Sequence, residues 1–400
     1  MDRETPFFAT ETVKPDESEF NGEPGANEGE NFLNVCVVTI GTFVVLQAAA
    51  LLRQMGIEPK NVNVLHYMVT DQLIESERWL CEVLGFNHAG DLGLRKDLEQ
   101  YAEGLFDGVR ANWLWRFPRL RSRWRDMGRE LLAPLDPEDV DILIYPFHPL
   151  PIDALLINLF PNAKVYFLCE GLLVGFKPIV HLPRPFRWAG FDNPFDRSKD
   201  QPIWSLGWLR EAMEPFGVPK TLEDRHWNKT LDKVTAHPDF EKLVKRLAPD
   251  GKDEEFSCLL LQPFANWGGH IDYPTEMIGW ASIINRELAS SDKTVLVKPH
   301  PRDHQGKLDL LNLMILEQHR NRVRFMGFDP ISTLPAEVFF RRLPIKRLVG
   351  LCSSALLTAP TEGMEICMYK GGALPEALNR EIDRCAKARG IEPIDLASAL

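Results

Sequence analysis

The stretch Thr294-Val295-Leu296-Val297-Lys298-Pro299-His300-Pro301-Arg302 decides the fold class and offers the first candidate site. Its first half is apolar and β-branched, which predicts a short buried strand. Its second half is a proline-stiffened turn that carries a lysine, a histidine and an arginine beyond the strand. Ligands of open α/β sheets bind at the carboxyl ends of strands, and a cationic histidine there suits a phosphate. We therefore predict an anion site on an exposed turn; the alternative is a capped loop with a solvated basic face.

Composition bounds the class of protein. The chain has 400 residues, 44% of them hydrophobic and 26% charged, which predicts two or three soluble globular domains. The formal net charge of -11 disfavours a nucleic-acid-binding protein, which would need a basic surface. The seven cysteines are scattered, without a CxxC pair. This pattern favours reduced thiols in a cytoplasmic protein.

Residues 35–52 carry no charged residue and are long enough to be a candidate membrane span. Their first half is β-branched, Gly41-Thr42 interrupts them, and their second half is rich in Ala and Leu. The pattern favours a strand, a turn and a helix, and the alternative is a membrane anchor. No cationic segment precedes the run, so it does not resemble a signal peptide.

The chain outside this run alternates apolar strands with helices, which predicts an α/β fold with two Rossmann-like domains facing across a cleft. Residues 1–31 are acidic and rich in Gly and Pro, and we expect a disordered tail. The first domain is predicted at 32–247, with a helical insertion at 71–133 and long loops at 176–215. The polar stretch 248–255 forms the boundary, and the second domain, 256–400, is expected to end in closing helices.

Polar side chains follow four of the predicted strands. They are Glu170 after strand 164–168, Gln262 after 257–261, Lys298 and His300 after 294–297, and Ser353 with Ser354 after 347–351. An acid in one domain can take a proton from an acceptor hydroxyl, and the donors of the other can hold a departing phosphate. This arrangement predicts group transfer, although a lone Glu-Gly is commonly a turn and a Ser pair is commonly a helix N-cap.

Three of these motifs, in this order, resemble those of bacterial sialyltransferases and polysialyltransferases of the GT-B fold. They are Glu170-Gly171, Lys298-Pro299-His300-Pro301 and Ser353-Ser354, and the segments Leu259-Leu260-Leu261-Gln262-Pro263 and Pro335-Ala336-Glu337 are also similar. The resemblance extends over roughly 32–360. In one respect the chain departs from the family, which usually has two acids before the glycine, because Cys169 occupies the first of these positions.

The resemblance implies an inverting, metal-independent transfer of sialic acid from a CMP-activated donor to an acidic or surface glycan. Glu170 would be the general base and His300 would bind or protonate the CMP phosphate. Lys298, Pro301, Ser353, Ser354 and Gln262 would belong to the donor site, and Glu337 would hold the ribose. The first domain would then face the acceptor and the second would bind the nucleotide sugar.

Several alternatives stay open at the level of sequence. The His-Pro and Ser-pair motifs also resemble those of CMP-Kdo transferases and CDP-glycerol glycerophosphotransferases, which use cytidine nucleotides as well. Cys169 would also suit a degenerate GT-B protein that binds without turnover. Asp139-Val140-Asp141 is a DxD sequence, but it precedes its strand, which favours a solvated loop over a metal site.

A basic, tryptophan-containing tract at 110–129 stands out in this acidic chain. We expect Arg119, Arg121 and Arg125 to guide an anionic acceptor or to contact the inner face of a membrane peripherally. The alternative is a solvated helix with buried tryptophans. His148, which follows a predicted strand, is a further candidate for acceptor binding.

Overall fold

The computed structural model describes residues 33–67, 71–92, 117–148, 150–169, 187, 190–195, 202–207, 218–249, 254–263, 271–360, 362–371 and 374–396. These residues build two parallel sheets with helices packed against them. The predicted acidic tail at 1–31 lies outside the described residues.

The strands are short, and most of them are buried. In chain order they are β1 Val35–Thr39, β2 Val62–His66, β3 Asn87–Asp91, β4 Ile142–Pro146, β5 Lys164–Leu168, β6 Pro202–Leu206, β7 Val218–Leu222, β8 Phe256–Leu260, β9 Thr294–Lys298, β10 Val323–Phe325, β11 Ile345–Gly350, β12 Glu365–Lys370 and β13 Ile394–Asp395. The continuously apolar central strands, such as β1, are buried along their whole length, as in sheets covered on both faces.

The helices alternate with these strands. They are α1 Thr42–Gln54, α2 Asp71–Leu84, α3 Phe117–Leu132, α4 Pro151–Ile157, α5 Asp224–Thr235, α6 Pro238–Leu247, α7 Tyr273–Ser290, α8 Gln305–Met314, α9 Ala336–Phe339, α10 Ser354–Thr358 and α11 Glu376–Arg389. The charge-free run at 35–52 is thus strand β1, a turn at Gly41 and helix α1, as predicted. None of the helices in the described part of the chain has both the length and the apolar character needed to cross a bilayer.

Both sheets have the same strand order. Among the described residues, the first sheet runs β3-β2-β1-β4-β5-β6-β7 and the second runs β10-β9-β8-β11-β12-β13. All neighbouring strands pair in parallel. This is the doubly wound order: successive strands are added on one side of the first strand and then on its other side. The switch leaves a ligand crevice at the carboxyl ends of the strands. The crevices are therefore expected beyond β1 and β4 and beyond β8 and β11.

Three sequence expectations about secondary structure are wrong. The closing region is not purely helical, because it contains β12 and β13, and the predicted loops at 176–215 contain β6. The predicted helical insertion contains β3, whose sequence Asn-His-Ala-Gly-Asp lacks the β-branched residues that mark a strand. Pro118 lies in the first turn of α3, where a missing N–H is tolerated.

Candidate functional site

The turn after β9 holds His300 in one orientation. Asp303 Oδ2 accepts a hydrogen bond from the His300 backbone N–H at 2.9 Å, and His300 Nδ1 accepts one from the Arg302 backbone N–H at 3.1 Å. An acceptor nitrogen carries no proton, so the neutral ring must carry its proton on Nε2. His300 therefore presents an N–H donor from a fixed turn.

The ring is neutral in the ligand-free protein, contrary to the cationic histidine expected from sequence. Desolvation, followed by the nearby cations Arg302, Lys298 and Lys307, lowers the pKa of His300 to about 3. The expected exposed turn is also wrong, because His300 is partly buried. An incoming phosphate would add negative charge beside this ring and would raise its pKa again.

A buried network that the sequence did not reveal holds the turn from behind. Lys307 Nζ donates to Asp303 Oδ1 at 2.7 Å, to the Gln262 carbonyl at 3.2 Å and to the Glu276 carboxylate. The Lys307 and Asp303 side chains are fully buried and that of Glu276 nearly so. The i, i+4 spacing of Asp303 and Lys307 at the start of α8 was the available signal. This network fixes the carboxylate that positions His300.

Lys298 and Glu337 form the floor beneath the turn. Lys298 Nζ donates to the Ser332 carbonyl at 2.9 Å and lies 5.3 Å from the centre of the Phe339 ring. Desolvation lowers the pKa of Lys298 to about 8 and raises the pKa of Glu337. Glu337 accepts a hydrogen bond from Thr358 Oγ1 at 3.0 Å. Both side chains are almost completely buried. They therefore affect the electrostatic potential at the floor of the cavity and make little contact with solvent.

The serine pair begins helix α10 at the end of β11. Ser353 is the N-cap, and its Oγ accepts from the Ala355 backbone N–H at 3.3 Å. Gly350 ends β11 where a Cβ would lie 3.2 Å from Leu356, so the helix packs closely on its strand. The serine pair is thereby held at the start of the helix, where its hydroxyl groups suit an anion.

These residues line one cavity. Its walls include Lys298, His300, Pro301, Glu337, Ser353 and Ser354. Arg302 lies in the same wall, and residues 40–44, which form the turn after β1 and the start of α1, also line the cavity. The cavity contains about 1010 Å³ of empty space including its open mouth, enough for a small-molecule ligand. The carboxyl ends of the two sheets thus meet across a cleft, as the sequence predicted.

Gln262 is not among the residues that line this cleft. Its Nε2 donates to the Cys352 carbonyl at 2.5 Å, and its Oε1 accepts from the Cys352 N–H at 3.2 Å. The amide therefore joins the ends of β8 and β11 where the second sheet reverses its strand order. Gln262 was predicted to bind the donor, whereas in the structure its side chain holds the serine pair in place.

The structure describes only some of the residues that were predicted to face the acceptor. Glu170 lies outside the described residues, and Cys169 before it is fully buried, with its N–H bonded to the Trp204 carbonyl at 2.9 Å. His148 is buried and hydrogen-bonded to Asp153. On α3, Arg121 is exposed and Arg125 is partly buried, whereas the side chain of Arg119 lies outside the described part. None of the described members of this group lines the cleft.

Residues 213–361 match the alpha-2,8-polysialyltransferase family model. This segment contains the His-Pro turn, Glu337 and the serine pair, and it ends just after α10. The match confirms the predicted resemblance over this segment, which is similar to a polysialyltransferase. A comparison with curated proteins found no match to this chain.

Several solved structures match this chain at low sequence identity. UDP-GlcNAc 2-epimerase from Neisseria meningitidis is 11% identical at a TM-score of 0.50, with 89% of this chain and 90% of that chain covered. An α-2,3-sialyltransferase from Photobacterium phosphoreum is 12% identical at a TM-score of 0.45, covering 91% and 98%. A Photobacterium damsela sialyltransferase is 12% identical at 0.43, covering 91% and 81%. The likeness to the epimerase confirms the predicted GT-B-like fold.

Proposed function

We propose that this glycosyltransferase moves sialic acid from a CMP-activated donor to a glycan acceptor, with inversion and without a metal ion at the reacting atoms. The observation that carries the proposal is the single cleft shared by the His-Pro turn, Lys298, Glu337 and the serine pair. All of them lie within the segment that matches the polysialyltransferase model.

The chemistry follows from the charges of the cleft. Breaking the bond between the sugar and the phosphate leaves negative charge on CMP. His300 Nε2–H can donate to that phosphate, and the Lys298 charge and the hydroxyls of the serine pair can stabilise it. A buried floor strengthens these interactions because the local dielectric constant is low. No proton need be held on His300 before the donor arrives, since its ring is neutral in the free protein.

The acceptor hydroxyl needs a base, since it is a weak nucleophile at neutral pH. The proposal gives this role to Glu170, which follows β5 in sequence. The first position of this motif is a fully buried cysteine, Cys169, which has no carboxylate. The carboxylate of the motif therefore comes from position 170. The attacking oxygen would bond to the anomeric carbon on the face opposite CMP as its proton passes to Glu170, which inverts that centre.

Glu170→Gln tests the proposal because it keeps the shape of the side chain and removes the base. We expect CMP binding to persist and CMP-sialic-acid-dependent transfer to fall by about 10²–10⁴-fold. Binding is measured as the rise in melting temperature with CMP, since only a ligand of the folded state raises it. UMP and GDP serve as controls for recognition of the cytosine ring.

The outcomes separate the alternatives. Normal transfer by the Gln variant would remove Glu170 from the mechanism. A wild-type protein that binds CMP but releases no CMP from CMP-sialic acid would be the degenerate binding protein instead. If CMP-Kdo or CDP-glycerol supports transfer and CMP-sialic acid does not, the donor sugar in the proposal is wrong while the cytidine site stands.

A further inference from the structure

Three side chains with metal-binding atoms gather at the edge of the first sheet, outside the cleft lining. They are His66 at the end of β2 and His88 and Asp91 on the edge strand β3. One atom from each lies within 4.8 Å of the atoms of the other two. None of the three belongs to the cavity described above, and the proposed transfer does not use them.

A strand irregularity brings the three side chains to one face. Residues three apart on a regular strand point to opposite faces, so His88 and Asp91 would normally diverge. Here the register shifts after the pair Val64 and His88, so that Asp91 pairs with His66. The extra residue, which is characteristic of a bulge, restores His88 and Asp91 to the face of His66. Bulges commonly re-aim side chains in this way.

The geometry is close to that of a tetrahedral metal centre. His66 Nε2 and His88 Nδ1 are 3.0 Å apart. Two imidazole nitrogens bound to one tetrahedral Zn²⁺ at about 2.0–2.1 Å would be about 3.3 Å apart. A shift of a few tenths of an ångström would therefore bring these two nitrogens to the spacing that the ion requires. Asp91 supplies the third atom, and Arg78 donates to its Oδ2 at 2.8 Å, which orients the carboxylate.

A buried carboxylate prepares His66 for this role. The Glu77 carboxylate pairs with His66 Nδ1, and both side chains are fully buried. Thr39 Oγ1 in turn donates to Glu77 Oε1 at 3.0 Å. A proton held on Nδ1 by Glu77 leaves Nε2 with its lone pair directed towards His88. Metal-ligating histidines characteristically have such a carboxylate behind them.

We propose that His66 Nε2, His88 Nδ1 and one Asp91 oxygen bind a single divalent transition-metal ion, with Zn²⁺ the preferred ion. Two nitrogens and one carboxylate oxygen are ligands that suit Zn²⁺ and not Mg²⁺ or Ca²⁺. His88 and Asp91 are exposed, which gives the ion a path from solvent and leaves the fourth position to water.

The ion would tie the edge strand to the body of the first sheet. β3 pairs with the sheet only through β2, and the metal would link the two strands by side chains as well. Through Glu77 the same centre reaches α2, and through Thr39 it reaches the end of β1. The role that follows is structural: the metal stabilises the folded state and takes no part in transfer.

The test uses the full chain without a histidine tag, stripped with EDTA and dialysed against Zn²⁺. We expect one Zn²⁺ per chain by elemental analysis and a melting temperature that rises with Zn²⁺ but not with Mg²⁺. His88→Ala and Asp91→Asn alter exposed side chains, so both variants should fold. Each should bind Zn²⁺ at least about tenfold more weakly and lose most of the thermal shift.

The matched control is His319→Ala, which removes a histidine from another part of the surface and should bind Zn²⁺ like the wild type. The proposal is overturned if the stripped wild-type chain takes up no Zn²⁺. It is also overturned if His88→Ala and His319→Ala bind Zn²⁺ equally. Because the readouts are metal content and melting temperature, they hold whatever sugar the cleft transfers.

Discussion

Two His-Pro sequences follow buried strands in this chain, and the structure uses them differently. His300 follows β9 and lines the cleft, whereas His148 follows β4 and is buried away from it. In both, a carboxylate lies a few residues downstream, at Asp303 and at Asp153. The two turns therefore look alike in sequence and differ in which atoms the carboxylate binds.

At the first turn the carboxylate binds the backbone, and at the second it binds the ring. Asp303 accepts from the His300 backbone N–H. Asp153 instead pairs with His148 Nδ1 at 2.8 Å and accepts from the Tyr145 hydroxyl at 2.8 Å. A ring enclosed with its carboxylate contributes to stability, whereas a ring presented from a fixed backbone can meet a ligand. The comparison can be tested from both sides.

The largest expected effect is on the His300 side. His300→Asn should reduce transfer by about 10²–10⁴-fold, because it removes the N–H donor to the leaving phosphate. Its melting temperature should stay close to that of the wild type, since the ring is only partly buried. Rates from CMP release and melting curves on one preparation measure both. An unchanged rate would mean that the two turns do not differ in function.

His148→Ala should have the opposite pattern. It leaves the buried Asp153 carboxylate without its imidazole partner, and we expect a loss of about 2–3 kcal/mol in the free energy of unfolding. Urea denaturation measures this loss. The fraction that remains folded should transfer sugar at the wild-type rate. A folded His148→Ala protein without activity would place His148 in the acceptor site, as the sequence first suggested.

The central strands and the anion wall could be predicted from the sequence because their signals are local. The apolar β-branched runs of β1, β8 and β9 require no knowledge of the fold, and the residues that follow parallel strands meet at one edge. The position of Ser353 at a helix start and of Pro335 before α9 follow from short-range rules as well.

What the sequence could not reveal depends on long-range contacts. The edge strand β3 lacks strand-forming residues and exists because β2 offers it a partner. The low pKa of His300 arises first from burial, which depends on the folded chain, and then from Arg302, Lys298 and Lys307. Gln262 appeared to be a ligand residue, but its amide is used by Cys352, 90 positions away. Such partners appear only after the chain has folded.

A smaller effect is expected at the serine pair, which faces the same ligand as His300 from α10. Replacing both Ser353 and Ser354 by Ala should weaken CMP binding about tenfold, since each hydrogen bond contributes about 0.5–1.5 kcal/mol. The turnover of the bound donor should change less. Calorimetric titration with CMP measures the affinity. Thr358→Ala is a comparison on the same helix, since it removes a hydroxyl that is bonded to Glu337. Unaltered affinity would place the phosphate site elsewhere.

The smallest expected effect is on the pH dependence of stability, and it concerns His300. The pKa of His300 is about 3 in the folded protein and near 6.5 when unfolded. Between these values the unfolded chain binds a proton that the folded chain does not, so stability is full above pH 6.5 and falls as the pH is lowered towards 3.

His300→Asn removes this proton uptake. Between pH 7 and pH 5 the variant should lose about 1 kcal/mol less than the wild type, a figure discounted because the ring is partly exposed. Urea denaturation at the two pH values measures the difference, with His319→Asn as the matched histidine change. If His300→Asn and the wild type lose stability in parallel, the pKa of His300 in the folded protein lies near its ordinary value, and the low pKa must be abandoned.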